Sequence, residues 1–168
     1  ADPAWSPDGG WIALVRHDIR EERTWGRSAV EVLDVATGAR RTVAETADGT
    51  TAFYGPRWSP DGGVLAVTVE TYPDEDQLAA LRSVVATVAL DGPTAGRVVP
   101  LTPSDLFAAE PDWQPGERIV FTTATSLLDW FTTASVFVID ADGCGLLALT
   151  TLDDGSGFDP TWLPDGRV

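Results

Sequence analysis

The polar and apolar positions of this chain fall into short runs that return in a fixed order. A small aromatic segment comes first, as in Pro56-Arg57-Trp58, and a Pro-Asp-Gly turn follows it. After each turn lies a continuous apolar run: Trp11 to Val15, Val64 to Val69, and Ile119 to Phe121. Unbroken runs of this length predict strands buried on both faces. Third strands are predicted at Ala29 to Val35, Val84 to Leu90 and Val136 to Asp140, each ending in a polar turn. Fourth strands follow at about Arg41 to Glu45, Arg97 to Leu101 and Leu146 to Thr150. A helical period is visible only at Glu75 to Arg82.

Four copies of one motif set the repeat. They are Asp2-Pro3-Ala4-Trp5-Ser6-Pro7-Asp8-Gly9 and Gly55-Pro56-Arg57-Trp58-Ser59-Pro60-Asp61-Gly62. The third, Glu110-Pro111-Asp112-Trp113-Gln114-Pro115-Gly116, lacks the Asp. The fourth, Asp159-Pro160-Thr161-Trp162-Leu163-Pro164-Asp165-Gly166, has Leu in place of Ser. Their tryptophans stand 53, 55 and 49 residues apart. Pro presets φ for the turn, Asp bonds the backbone, and Gly accepts a positive φ. The Pro before each Trp has no N–H to give a ladder, so it is expected at the first position of its strand. A tryptophan repeated at one structural position is expected to pack between units, with its N–H on a local acceptor.

A period near 50 with four strands per unit predicts an all-β chain, a β-propeller of four-stranded antiparallel blades. Blade 1 is expected over about residues 1–50, blade 2 over 51–105 and blade 3 over 106–155. The first strand of a fourth blade is expected within 156–168. The string Pro-x-Trp-Ser-Pro-Asp-Gly before an apolar strand resembles the repeat of TolB-like (WD40-like, PD40) propellers. It also resembles the propeller domains of prolyl-oligopeptidase-type serine peptidases. The resemblance covers the whole chain and implies a ring of six or seven blades. The remaining blades would come from the rest of a longer chain or from self-association, and the longer chain is the expected source. It further implies a periplasmic or extracellular location and a protein partner.

In such blades the Pro-Asp-Gly and third-to-fourth turns share one end of the disc, and every long loop lies at the other. Those long loops are Arg16 to Ser28, Thr46 to Gly55, Thr71 to Ser83, Thr102 to Glu110, Thr122 to Ala134 and Thr151 to Asp159. The candidate binding residues there are Trp25, Tyr54, Tyr72, Phe107, Trp130 and Phe131, with the acidic run Asp74, Glu75 and Asp76. Aromatics among carboxylates on loops make a recognition face. The same aromatics could instead fold back over the blade edges as lids on the core.

Composition narrows the function. The formal net charge is −15, which repels phosphate backbones and argues against nucleic acid as a partner. No apolar run approaches the roughly 18 residues of a membrane span. All 11 basic residues are Arg, and Lys, Asn and Met are absent, a bias that points to a GC-rich bacterial genome. Without Met, a processed or excised segment is expected. Cys144 is alone, which excludes an internal disulfide. No Gly-x-Ser-x-Gly elbow is present, and the one imidazole, His17, is expected at a strand end.

Asp140-Ala141-Asp142-Gly143 begins like a calcium loop but lacks the later ligands, so a plain turn is expected. Asp153-Asp154 and Asp74-Glu75-Asp76 offer at most weak Ca²⁺ sites, and no cofactor is predicted. Three functions stay open. One is a non-catalytic protein- or peptide-binding scaffold of the TolB type. Another is the gating propeller of a serine peptidase whose catalytic domain lies outside this chain. The last is a carbohydrate-binding propeller; a lyase would need several His ligands.

Overall fold

A computed structural model of the protein describes residues 3–19, 25–46, 49–72, 80–114, 116–151, 153, 155–163 and 165–168. Among these residues, twelve strands form three separate four-stranded sheets, each antiparallel and each in simple chain order. Sheet 1 holds β1 (Ala4–Trp5), β2 (Trp11–Ile19), β3 (Trp25–Asp34) and β4 (Arg40–Thr46). Sheet 2 holds β5 (Thr51–Trp58), β6 (Val64–Thr71), β7 (Arg82–Ala89) and β8 (Val98–Pro100). Sheet 3 holds β9 (Phe107–Gln114), β10 (Arg118–Ala124), β11 (Ser135–Asp140) and β12 (Leu147–Ala148). The sheets stack face to face as propeller blades and do not close on themselves among the described residues.

Strand β6 shows why its run, Val64 to Val69, is apolar except at Thr68. Leu65 and Val67 face the core shared with sheet 1, whereas Ala66 faces the core shared with sheet 3. Both sides are dry, and complete burial of Leu65 and Val67 stabilises the fold by about 1.5–3 kcal/mol each. On β2 the pattern alternates: Ala13 and Val15 are buried against sheet 2, and Ile12 and Leu14 are half-buried on the opposite face.

The Pro-Asp-Gly turns are built by one network, repeated. Ser6 Oγ donates to Asp8 Oδ1 at 2.6 Å and accepts from Trp11 N at 2.9 Å, while Gly10 N donates to the same Asp8 oxygen. Ser59, Asp61, Gly63 and Val64 reproduce it at 2.6, 3.0 and 2.9 Å. These bonds hold the Asp8 and Asp61 carboxyls below their ordinary value, the serine hydroxyl being the larger cause.

The motif tryptophans do pack between sheets, but their acceptors are distant in sequence. Trp58 Nε1 donates to Ala4 O at 2.9 Å, and Trp113 Nε1 donates to Arg57 O at 3.1 Å. Each indole thus reaches the residue just before the tryptophan of the preceding sheet. Trp5 is 60% exposed, against 9% for Trp58 and 8% for Trp113. In the fourth copy, Trp162 N and Thr161 Oγ1 both donate to Asp112 Oδ2, and the Trp162 Nε1 is buried without a hydrogen-bond partner.

The first strands differ from expectation. Pro56 and Pro111 lie inside eight-residue strands rather than at their first positions. A register shift between Tyr54 and Arg57, matched by one opposite Val120 and Thr122, leaves each proline out of the ladder. The residue before each proline has positive φ: 51° at Gly55, 57° at Glu110 and 47° at Asp159. Non-glycine residues seldom adopt that conformation, so Glu110 and Asp159 are strained. Of the helical segment expected at Glu75 to Arg82, residues 75–79 lie outside the described residues, and Ala80 and Leu81 lead directly into β7, which Arg82 opens. One short helix, α1 (Trp130–Thr133), occurs between β10 and β11, where a loop was expected.

Candidate functional site

Two half-buried carboxylates, Glu70 and Glu110, organise the site at the long-loop end. Strand β6 carries Glu70 at the end of its apolar run, where Tyr72 Oη donates to Glu70 Oε2 at 2.5 Å. Burial pushes the Glu70 carboxyl above its ordinary range, opposed by the Tyr72 bond. The Tyr72 N–H is tied to Thr50 O at 2.7 Å, which fixes the start of the β6–β7 loop against β5. Tyr54 Oη lies 3.5 Å from Tyr72 Oη, and burial raises both phenols. His17 of sheet 1 packs on the Tyr54 ring with centroids 5.2 Å apart, and burial lowers its imidazole.

Glu110, the strained residue of β9, is held from three sides. Its N–H donates to Thr68 Oγ1 of sheet 2 at 3.2 Å. Its Oε2 accepts from Thr122 Oγ1 of β10 and from Asp159 N, both at 2.9 Å. Between these two carboxylates lies a cavity of about 260 Å³. Tyr54, Phe107, Leu127 and Trp130 give it apolar walls, Gly55, Thr68 and Ala109 its floor, and Glu70, Glu110, Asp159 and Arg57 its charges. Phe107 meets Trp130 edge to face at 5.3 Å, and Phe158 bridges Trp130 and Phe131 at 6.0 Å to each.

The structure sorts the candidate residues. Tyr54, Phe107 and Trp130 meet at the cavity, with Tyr72 behind them on Glu70. Tyr54 and Phe107 are strand residues, not loop residues, because β5 and β9 begin earlier than the Pro-x-Trp segment. Phe107 and Trp130 are buried and close the end of the core with Leu81, Ala109 and Ala124, as the lid reading has it. Phe131, on α1, is 78% exposed, and Leu128 beside it is 71% exposed. Trp25 opens β3 at this end. The Trp25 side chain, the Asp74, Glu75 and Asp76 run, Pro115 and Pro164 lie outside the described residues.

Glu70, Glu110, Arg57 and Asp159 were not singled out from the sequence. A signal for two of them exists there: Glu70 ends a run buried on both faces, and Glu110 occupies the motif position that Gly55 fills in the previous copy.

The turn end also has grooves, of about 400 Å³ beside Pro7 and Trp58 and about 540 Å³ beside Pro60 and Trp113. They recur at successive sheet junctions with the same motif residues, so they are a product of the repeat. Asp142 Oδ1 accepts from Cys144 N at 2.8 Å, which gives its segment an Asx-type turn. Cys144 is exposed, and Asp142 raises its thiol. Among the described residues no three His, Cys, Asp or Glu side chains are grouped to hold a metal, and no helix is long and apolar enough to cross a membrane.

No known family profile matches the chain. A TolB candidate from Agrobacterium tumefaciens superposes over 99% of this chain with a TM-score of 0.66 and 22% identity. The β-propeller domain of the trilobed protease from Pyrococcus furiosus superposes over 88%, with a TM-score of 0.56 and 14% identity. This chain has the β-propeller fold. An uncharacterized peptidase of Bacillus subtilis, YuxL, is 29% identical over 124 residues, or 73% of this chain. The chain spans 56% of the TolB candidate, 42% of the protease domain and 17% of the peptidase.

Proposed function

We propose that this chain is the recognition part of a propeller and binds a protein or peptide at its long-loop end, outside the cytoplasm. The observation that carries this reading is the cavity between sheets 2 and 3. Aromatic walls, the half-buried Glu70 carboxylate and a strained Glu110 converge there, at the end where the exposed Phe131 and Leu128 also lie. Recognition sites pair apolar and aromatic surface with a few placed polar groups, and backbone strain collects at such sites.

Panning a random peptide display library against the chain tests the reading. Enriched peptides should shift the Trp130 indole resonance and lose affinity in Phe131→Ser, an exposed position whose change leaves the core intact. Enriched peptides that shift the Trp58 and Trp113 indoles at the turn end instead would overturn it.

A second reading is favoured by the peptidase relative: the chain is then part of the propeller of a larger hydrolase, and the same cavity meets the substrate peptide. A reading frame with an α/β domain and a nucleophile elbow after the propeller would select this reading over the first.

A further inference from the structure

We propose that the cavity between sheets 2 and 3 receives a cationic side chain, the ammonium or guanidinium of an extended peptide. This inference rests on the binding reading above and names the chemistry of the ligand.

Size is the first argument. At about 260 Å³ the cavity falls below the roughly 300 Å³ at which pockets for drug-sized molecules begin. It suits one side chain rather than a helix or a strand. Charge is the second. Glu70, Glu110 and Asp159 line it against a single cation, Arg57, whose Nη1 is turned back on Pro56 O at 3.0 Å. The net −15 of the chain draws cations toward it over longer distances.

The walls supply the third argument. Tyr54, Phe107 and Trp130 present aromatic rings, and a ring face attracts a cation by about 0.5–2 kcal/mol, more as water is excluded. Finally, Glu70 is a carboxylate partly withdrawn from water. Burial disfavours its charge, and the Tyr72 hydroxyl compensates in part. A bound cation completes that compensation and favours the ionised form. An acidic ligand would face three carboxylates, and an apolar one would bring no charge to balance them.

The test uses capped pentapeptides, acetyl-Gly-Gly-X-Gly-Gly-amide, with X as Arg, Lys, norleucine or Glu. Each is titrated into the chain while the indole N–H resonances of Trp130 and Trp113 are followed. Arg and Lys peptides should shift Trp130, norleucine should bind at least fivefold more weakly, and Glu should not bind. Glu70→Gln should weaken the Arg peptide at least fivefold, with the Trp113 resonance unchanged as the sign of an intact fold. Asp159→Asn, at an exposed position, repeats the test if Glu70→Gln misfolds.

Equal binding of norleucine and lysine peptides would overturn the inference and leave the long-loop end as a peptide site. Failure of every peptide to shift Trp130, with display-selected peptides also silent there, would remove the binding reading as well.

Discussion

Replacing Trp58 with Phe keeps an aromatic ring in the core and removes one hydrogen bond between sheets. In the native chain Trp58 Nε1 donates to Ala4 O at 2.9 Å, across the junction of sheets 1 and 2, with the indole 9% exposed. The smaller ring leaves a void worth about 1 kcal/mol. Ala4 O loses its indole donor in a partly buried setting, which costs a further 1–3 kcal/mol or so. Trp58→Phe should therefore destabilise by about 2–4 kcal/mol, and Trp113→Phe by a similar amount through Arg57 O. Two internal controls sharpen the test. Trp162 has a buried Nε1 with no hydrogen-bond partner, so Trp162→Phe should be neutral or stabilising. Trp5 is 60% exposed, so Trp5→Phe should change little. Urea denaturation followed by far-ultraviolet circular dichroism measures all four. The reasoning fails if Trp162→Phe costs as much as Trp58→Phe, because an effect independent of the acceptor is then generic loss of indole.

Three further outcomes are expected. Gly96→Ala should cost at least about 1 kcal/mol more than Gly92→Ala: both glycines have positive φ, but a Cβ at Gly96 would sit 2.7 Å from Val43 O of sheet 1, whereas one at Gly92 meets nothing. Paired melting curves would show equal losses if that contact is irrelevant. Glu70 has a raised folded midpoint, so the native state binds its proton more tightly than the unfolded chain, and wild type loses stability as pH rises from the ordinary 4.5 through that midpoint. Glu70→Gln should remove this slope and gain on wild type as pH rises above the ordinary 4.5, and parallel pH profiles would refute it. Asp61 has the opposite sign: its depressed midpoint stabilises the fold above the ordinary 3.8 and the effect is lost as pH falls through the lower folded value. Ser59→Ala should raise the Asp61 midpoint toward 3.8 in a carboxyl carbon titration by NMR, and an unmoved midpoint would contradict the turn network.

Legibility followed range. The Pro-Asp-Gly turns are local chemistry, so Ser6, Asp8 and Gly9 could be read from eight consecutive letters. The run Val64 to Val69 announced a strand covered on both sides, because an exposed face would have interrupted it with polar residues, as Arg16 and Asp18 do on β2. Register was not legible. Pro56 and Pro111 sit inside their strands because the ladder shifts around them, and that shift depends on the opposite strand. The site suffered most from this gap. Tyr54 and Phe107 were read as loop residues, although their grouping at one end was anticipated from topology. Glu70 and Glu110 are forty positions apart along the chain, yet Thr68, two residues before Glu70, receives the Glu110 N–H directly. Nothing short of the sheet stacking reveals that pairing.

The tryptophan bond between sheets also bears on how such a chain can grow. The donor is a side chain that each repeat carries itself, and the acceptor is a backbone carbonyl that any repeat offers. A duplicated blade with a completed junction can therefore use whatever residue stands there: Ala4 serves one junction and Arg57 the next, while Trp162 of the fourth copy holds Asp112 through its backbone N–H instead. Tandem copying needs no matched pair of mutations to keep neighbouring units tied. Sequence can then drift at the loops while the junctions of Trp58 and Trp113 keep the same bond.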